Sequence, residues 1–250
     1  MRAMVLAAGL GTRLRPLTDS RPKALVELSG RTLLEITLCR LRDFGISDVI
    51  VNVHHFADMV VDFLKSKSNF GMRIEISYEE LLLDTGGGLK KAAWFFLDDP
   101  SRMDEPFILH NVDVISTIDL RRMTEFHTNN QALATLAVQN RKTSRYLLFN
   151  ENDRFCGRRF MPEMKDELAC PAERLQPQAF SGIHVISPRL LPMISQNGVF
   201  SIINSYLSLA SKGQKILAFH ADEYNWRDLG RPEHLIQAAE EMKGTNNASL

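Results

Sequence analysis

Two hydrophobic periodicities alternate through the first half of the chain, and that alternation constrains the fold more than any single residue. Residues 3–7 form a short apolar run that ends at glycines, the pattern of a strand buried on both faces. Residues 32–44 place Leu33, Leu34, Ile36, Thr37, Leu38, Leu41 and Phe44 at helical spacing, and Gly45 follows as a stop. Further strands are predicted at 48–53, 72–78, 107–112 and 133–139, and further helices at 57–67, 89–97 and 119–129, the last opening at an acidic cap. Strands separated by helices imply βαβ units and a mostly parallel sheet. Ligands of such open sheets bind at the carboxyl ends of the strands, so the loops after strands one, three and four are where a site is expected.

The second half is less regular. Strands are predicted at 146–150, 178–186, 215–220 and 225–228, with helices at 201–211 and 231–243. The stretch 158–176 has weak periodicity, two prolines and many charges, and reads as a long loop. Residues 244–250 are small and polar and read as a disordered tail. No repeat or linker divides the chain, so residues 1–243 are expected to form a single domain.

Lysine plus arginine and aspartate plus glutamate number 30 each. A chain with no basic excess is not expected to bind nucleic acid, whereas a small anionic substrate needs only a few local cations. The cysteines Cys39, Cys156 and Cys170 are odd in number and lack metal-site spacing. That argues against a disulfide framework or structural zinc, and for a reduced, cytoplasmic protein. The apolar start runs directly into Arg13, Arg15 and Pro16 rather than a cleavage site. No apolar run approaches the ~18 residues of a membrane helix, so no membrane partner is expected.

The sequence LAAGLGTRLRPLTDSRPKALVEL at 6–28 follows the first strand. Gly9 and Gly11, with Ala7 and Ala8, let backbone approach a ligand and point N–H groups at phosphate oxygens. The dinucleotide fingerprint fails, because its third glycine position holds Leu14 and the second strand ends in Asn52, Val53 and His54 rather than an acid. The P-loop pattern is absent as well. Elsewhere, Asp84 and Thr85 precede Gly86, Gly87 and Gly88, and a strand-end segment reads His110, Asn111, Val112, Asp113.

With Thr12, Arg13, Leu14, Arg15, Pro16 and then Pro22 and Lys23, the run at 6–28 resembles the signature of the sugar-1-phosphate nucleotidyltransferases. The resemblance implies a Rossmann-like, three-layer αβα fold with a mixed, mostly parallel central sheet. Roughly 1–135 would hold the nucleotide and 136–243 the sugar. It further implies that Leu6, Ala7, Ala8, Gly9, Gly11 and Thr12 wrap the triphosphate, and that Arg13 and Lys23 offset charge on the reacting phosphates. The segment from Thr85 through Gly88, with Glu79 near its start, resembles the family's base-reading loop.

Asp113 resembles the family's Mg²⁺-binding acid, although Val112 stands where glycine or alanine is usual. The segment Trp226, Arg227, Asp228, Leu229, Gly230 resembles the closing motif, with Asp228 as second Mg²⁺ ligand. Asn111 and Gly182, the latter in a Phe180-Ser181-Gly182-Ile183 stretch, would lie against the sugar. The implied substrates are a nucleoside triphosphate and a sugar 1-phosphate, the implied cofactor Mg²⁺, and the implied state a monomer or small homo-oligomer. Uridylyltransferases of N-acetylmuramate 1-phosphate and guanylyltransferases of mannose 1-phosphate are the branches it most resembles. A regulatory subunit that binds nucleotide sugar without turnover is the alternative of another class.

Overall fold

The structure is a computed structural model that describes residues 1–246. The first half runs β1 (Arg2–Leu6), β2 (Glu27–Leu28), β3 (Arg31–Thr32), α1 (Leu33–Asp43), β4 (Asp48–Val53), α2 (Ala57–Ser66), β5 (Arg73–Tyr78), α3 (Asp84–Lys91), α4 (Trp94–Leu97), β6 (Phe107–Asn111), β7 (Val114–Ser116), α5 (Leu120–Asn129) and β8 (Ala134–Gln139). The second runs β9 (Arg145–Phe149), β10 (Phe155–Phe160), β11 (Lys165–Leu168), β12 (Gln176–Ile186), α6 (Ile202–Ser211), β13 (Ile216–His220), β14 (Trp226–Asp228) and α7 (Pro232–Asn246).

The central sheet is mixed. Its parallel block has the order β6-β1-β4-β5. β12 then joins β6 antiparallel and is long enough to pair with β8 and β9 as well. Alternate residues of the parallel strands face two different cores. Ala3, Val5, Val49 and Val51 meet α1, α2, α5 and α7, while Met4 and Ile50 meet α3, α4 and α6. That is the expected three-layer αβα arrangement. β1 pairs with β4 on one side and β6 on the other, so the chain leaves β1 in one direction and later returns beyond it. Adjacent crossovers therefore diverge at the carboxyl end of β1, which opens a crevice there.

Local chemistry agrees with these elements. Thr32 caps α1 by accepting from Glu35 N at 3.1 Å, and Gly45 follows the helix at φ 82°. Asp119 caps α5 through Arg121 N and Arg122 N. Arg2 is buried because it donates to the carbonyl oxygens of Phe95 and Phe96 and pairs with Asp98 at the end of α4. A cation there completes otherwise orphaned helix-end acceptors.

Three expectations are corrected. The helix expected at 89–97 begins five residues earlier and breaks after Lys91 into α3 and α4. Three glycines are poor helix formers, but the N–H groups of Gly86 and Gly87 donate to Phe200 O at 2.9 and 3.2 Å, so tertiary bonds outweigh propensity. The expected loop at 158–176 contains a hairpin, β10 and β11. Arg158 faces Glu167 and Arg159 faces Asp166, each in an ion pair. Charges cover this edge hairpin, so the hydrophobic alternation of a strand is missing from its sequence. The tail expected from 244 is helical through Asn246 within α7, and the rest of it lies outside the described residues.

Three histidines are buried in this framework. His184 shares a 2.9 Å hydrogen bond with Tyr206, and His127 meets Thr135 and Ser187. His110 lies between Asn111 O and Arg40. Burial pushes His110 and His184 down to about 3 and His127 down to about 4. The unfolded chain therefore binds more protons than the folded one below the ordinary value near ~6.5. Their contribution is complete above that pH and is lost as pH falls toward the folded values. Each adds a slope of up to ~1.4 kcal/mol per pH unit. Urea unfolding between pH 7 and 5 should show a falling midpoint, with a shallower fall for His127→Gln. A midpoint independent of pH over that range would contradict this account.

Candidate active site

The crevice is built from strand ends. β1 ends at Leu6, and the next amide, Ala7 N, donates to Asn52 Oδ1 at 2.7 Å. Asn52 Nδ2 in turn donates to Glu79 Oε1 at 2.7 Å, and Glu79 Oε2 accepts from Leu83 N at 2.9 Å. Both side chains are buried. One chain of bonds thus ties the ends of β1, β4 and β5 to the start of α3. Gly11 adopts φ 66°, and a Cβ there would lie 2.9 Å from Thr18 Cγ2. Glycine is required at this point, and Thr18 Oγ1 fixes the turn by donating to Gly11 O at 2.9 Å. Buried Leu14 anchors the one-turn helix Thr12–Leu14.

Four charged side chains meet beside this loop. The Lys23 ammonium forms an ion pair with Asp113. A Cβ placed on Gly230 would lie 2.8 Å from Asp228 Oδ1, 2.9 Å from Arg13 Nη2 and 3.1 Å from Asp113 Oδ2. The guanidinium and both carboxylates therefore converge on one point. What aligns the two acids is a small antiparallel ribbon in which Val114 of β7 faces Asp228 of β14, while Leu229 N donates to Asp113 O at 2.8 Å. Burial pushes the Asp113 carboxyl up. The charge and hydrogen bond of Lys23 outweigh this, aided by a backbone bond and by Asp228, and the net direction is down. Asp113 is thus held as a carboxylate despite its burial.

A cavity of about 430 Å³ opens next to the cluster. Leu6, Ala8, Gly9 and Lys23 form its floor toward β1. Asn111, Val112 and Asp113 come from the end of β6, and Glu79, Asp84 and Thr85 from the region between β5 and α3. Leu82 and Val199 complete an apolar wall. Eight expected site residues line this space: Leu6, Ala8, Gly9, Lys23, Glu79, Thr85, Asn111 and Asp113.

The others stand near it in different ways. Ala7 is held by Asn52, Gly11 and Thr12 shape the loop, and Arg13 and Asp228 stand in the charged cluster. Gly182, at φ 72°, packs against Asn111, where a Cβ would lie 2.9 Å from Nδ2. Gly86, Gly87 and Gly88 lie behind the wall, not on it. The first two donate to Phe200 O, and a Cβ on Gly88 would lie 2.6 Å from Glu79 Oε1. Asn52, Leu82 and Val199 escaped the sequence reading. Asn52 had a faint signal as a polar residue at the end of an apolar strand. The other two carry no local mark.

Among the described residues no three acidic, histidine or cysteine side chains form a metal-binding group. Two converging carboxylates are still an all-oxygen donor set of the kind Mg²⁺ accepts, because that ion keeps waters and substrate phosphates as its remaining ligands. Among the described residues no helix is long and apolar enough to cross a membrane.

Comparison with known proteins agrees with this geometry. Residues 2–244 match the model of the nucleotidyl transferase family. An N-acetylmuramate alpha-1-phosphate uridylyltransferase from Caulobacter vibrioides is 33% identical over 247 residues, covering 94% of each chain. A mannose-1-phosphate guanyltransferase from Pichia angusta is 30% identical over 94% of this chain, which spans 62% of that protein's length. In fold, the chain resembles HddC from Yersinia pseudotuberculosis complexed with GMP-PN, with a TM-score of 0.73 and 21% identity over 96% of this chain and 99% of the other. It also resembles a UDP-glucose pyrophosphorylase complexed with UDP-glucose, with a TM-score of 0.77 and 17% identity over 98% of both chains. The chain belongs to the nucleotidyl transferase family, grouping with its sugar-1-phosphate nucleotidyltransferases.

Proposed function

We propose that this enzyme joins the nucleotidyl group of a nucleoside triphosphate to a sugar 1-phosphate and releases pyrophosphate. The observation that carries the proposal is the convergence of Lys23, Arg13, Asp113 and Asp228 beside a cavity of nucleoside size at the carboxyl ends of β1 and β6. An oxygen of the sugar phosphate attacks the α-phosphorus, a P–O bond forms there, and the bond to the pyrophosphate oxygen breaks. The attacking oxygen is already ionised at neutral pH, so no protein nucleophile or base is required. Catalysis is then positioning and charge stabilisation.

In this reading the loop from Ala7 to Thr12 presents N–H groups to the triphosphate. Lys23 offsets charge near the reacting phosphorus, and Arg13 offsets charge on the leaving pyrophosphate. Asp113 and Asp228 would hold Mg²⁺, whose chemistry is to neutralise and orient phosphate oxygens. The residues from 1 to 135 supply the nucleotide side and those from 136 to 243 the sugar side. A reduced, cytoplasmic protein fits its free cysteines, and a monomer or small homo-oligomer is the proposed state.

UTP is the proposed nucleotide and N-acetylmuramate 1-phosphate, or a related hexose 1-phosphate, the acceptor. The Caulobacter relative supports this, since it matches the chain over nearly its whole length. The guanyltransferases at similar identity support mannose 1-phosphate and GTP as the second reading. Val112 lines the cavity and bears on the choice, because a branched side chain there takes up room that a smaller residue would leave.

Three measurements test these assignments. Asp113→Asn should lower kcat by orders of magnitude with the fold retained, and turnover should depend strictly on a divalent cation. Near-normal activity of that variant would remove Asp113 from the metal site. Arg13→Ala should lower kcat by ~10²–10³ with little change in sugar-phosphate KM, because the arginine acts on charge that develops during reaction. A rise in sugar-phosphate KM alone would refute that role. With UTP, GTP, ATP and CTP competing at equal concentration, product masses should show mainly the UDP-sugar. A dominant GDP-sugar would select the second reading, and tight nucleotide binding without any product would select a non-catalytic subunit.

A further inference from the structure

Arg141 stands just past the end of β8, outside the cluster described above. Its guanidinium carbon lies 3.6 Å from the ring centre of Trp226, a stacked cation–π contact. Its Nη2 donates to Phe180 O at 2.6 Å, while Trp226 Nε1 donates to the adjacent Ser181 O at 2.7 Å. The stacked pair thus grips two successive carbonyls of β12 directly before Gly182. This is where β12 shifts register against β8. Trp226 also opens β14, which delivers Asp228 two residues later. The arginine therefore stands where the Gly182 segment and the Asp228 ribbon meet.

What the protein leaves undone there is informative. The Phe180 bond is the guanidinium's one hydrogen bond among the described residues, and its Nε is buried with no acceptor. No carboxylate of the described residues lies within 4.0 Å of it, although Asp228 is near enough to act on its charge. Burial pulls the Arg141 pKa down, and Asp228 works in the opposite direction. Gln178 Oε1, Ser181 Oγ and Ser116 Oγ, on the strands that meet here, are likewise buried and unpartnered. A half-buried cation with an orphan donor is costly unless an anion completes it. Holding Phe180 O alone would not need a charge, since an amide donates as well. A guanidinium fork stacked on an aromatic ring is suited to phosphate oxygens.

We infer that Arg141 binds the phosphate of the acceptor sugar 1-phosphate, and that its stack on Trp226 aims the guanidinium and holds the Gly182 segment in place. This rests on the transferase reading above. It assigns the acceptor phosphate its own cation, distinct from Arg13 and Lys23, which belong to the segment after β1. The two polyanionic substrates are then held by separate cations, so loss of Arg141 weakens one of them selectively.

The test is steady-state kinetics with whichever of N-acetylmuramate, mannose or glucose 1-phosphate the wild-type enzyme turns over. Losing a charged hydrogen-bond partner typically weakens binding by about 10- to 100-fold. Arg141→Gln should raise the sugar-phosphate KM by that factor, with the NTP KM and calorimetric NTP affinity changed less than about threefold. Arg141→Lys, which keeps the charge and loses the fork, should fall between the two. A sugar-phosphate KM within twofold of wild type in Arg141→Gln overturns the assignment. So does an equal rise in both KM values, which marks Arg141 as a structural clamp on Phe180. Should Arg141→Gln not fold, the lysine variant decides alone: a selective rise of about threefold or more supports the assignment, and none overturns it. Wild-type enzyme that binds nucleotide but turns over no sugar phosphate removes the transferase reading itself, an outcome seen before any variant is made.

Discussion

The amide of Asn52 holds the site together. It accepts from the first amide beyond β1 and donates to Glu79, whose other oxygen accepts from Leu83 N at the approach to α3. Three strand ends and a helix start would otherwise expose unpaired backbone and side-chain groups in a buried place, at a cost of ~1–3 kcal/mol each. Satisfied together, they fix the height at which the glycine loop leaves the sheet. Gly11 supplies the turn itself, and the fixed height decides where that turn stands. A flexible turn with free N–H groups would bind phosphate weakly, since ordering it would consume the gain.

Onto this rigid floor the fold brings charge from three distant parts of the chain, the segment with Arg13 and Lys23, Asp113 and Asp228. Lys23 and Asp113 are 90 residues apart, and they pair at small exposure on both sides. A buried ion pair contributes little to stability by itself, because desolvation offsets attraction. Its consequence is electrostatic preorganisation: the carboxylate stays ionised and the ammonium stays aimed at one place. Charges held at such small exposure act more strongly on an anion than the same charges would in solvent.

The sequence revealed the parallel half of the fold well, because β1 and β4 are buried on both faces and their apolar runs are uninterrupted. It singled out Arg13, Lys23 and Asp113, which the fold brings together, because they sit in short motifs whose residue types have few other uses together. Spacing did not show the pairing of Asp113 with Asp228, which the family resemblance alone implied, because it depends on the ribbon of β7 and β14, two three-residue strands with no periodicity to detect. The sequence hid the hairpin of β10 and β11, whose charged faces read as loop. Arg141 was invisible for a related reason. Its environment is made by Trp226 and by the carbonyls of Phe180 and Ser181, and nothing in its neighbouring residues points to them.

The three glycines of α3 have a packing role that their sequence does not announce. Read as a loop, Gly86, Gly87 and Gly88 promised free backbone groups for a base. In the fold their N–H groups and their lack of side chains face away from the cavity. Gly86 and Gly87 let Phe200 and the 198 carbonyl come close, since a Cβ on either would lie within 2.4 Å of an atom there. Gly88 leaves room for the bond between Asn52 and Glu79. A methyl group at any of the three would push α3 outward and carry Thr85 and Asp84 with it, both of which line the cavity. The glycines therefore set the position of the cavity wall. Packing behind α3 in this way sets the depth of the cavity at Leu82, Thr85 and Val199.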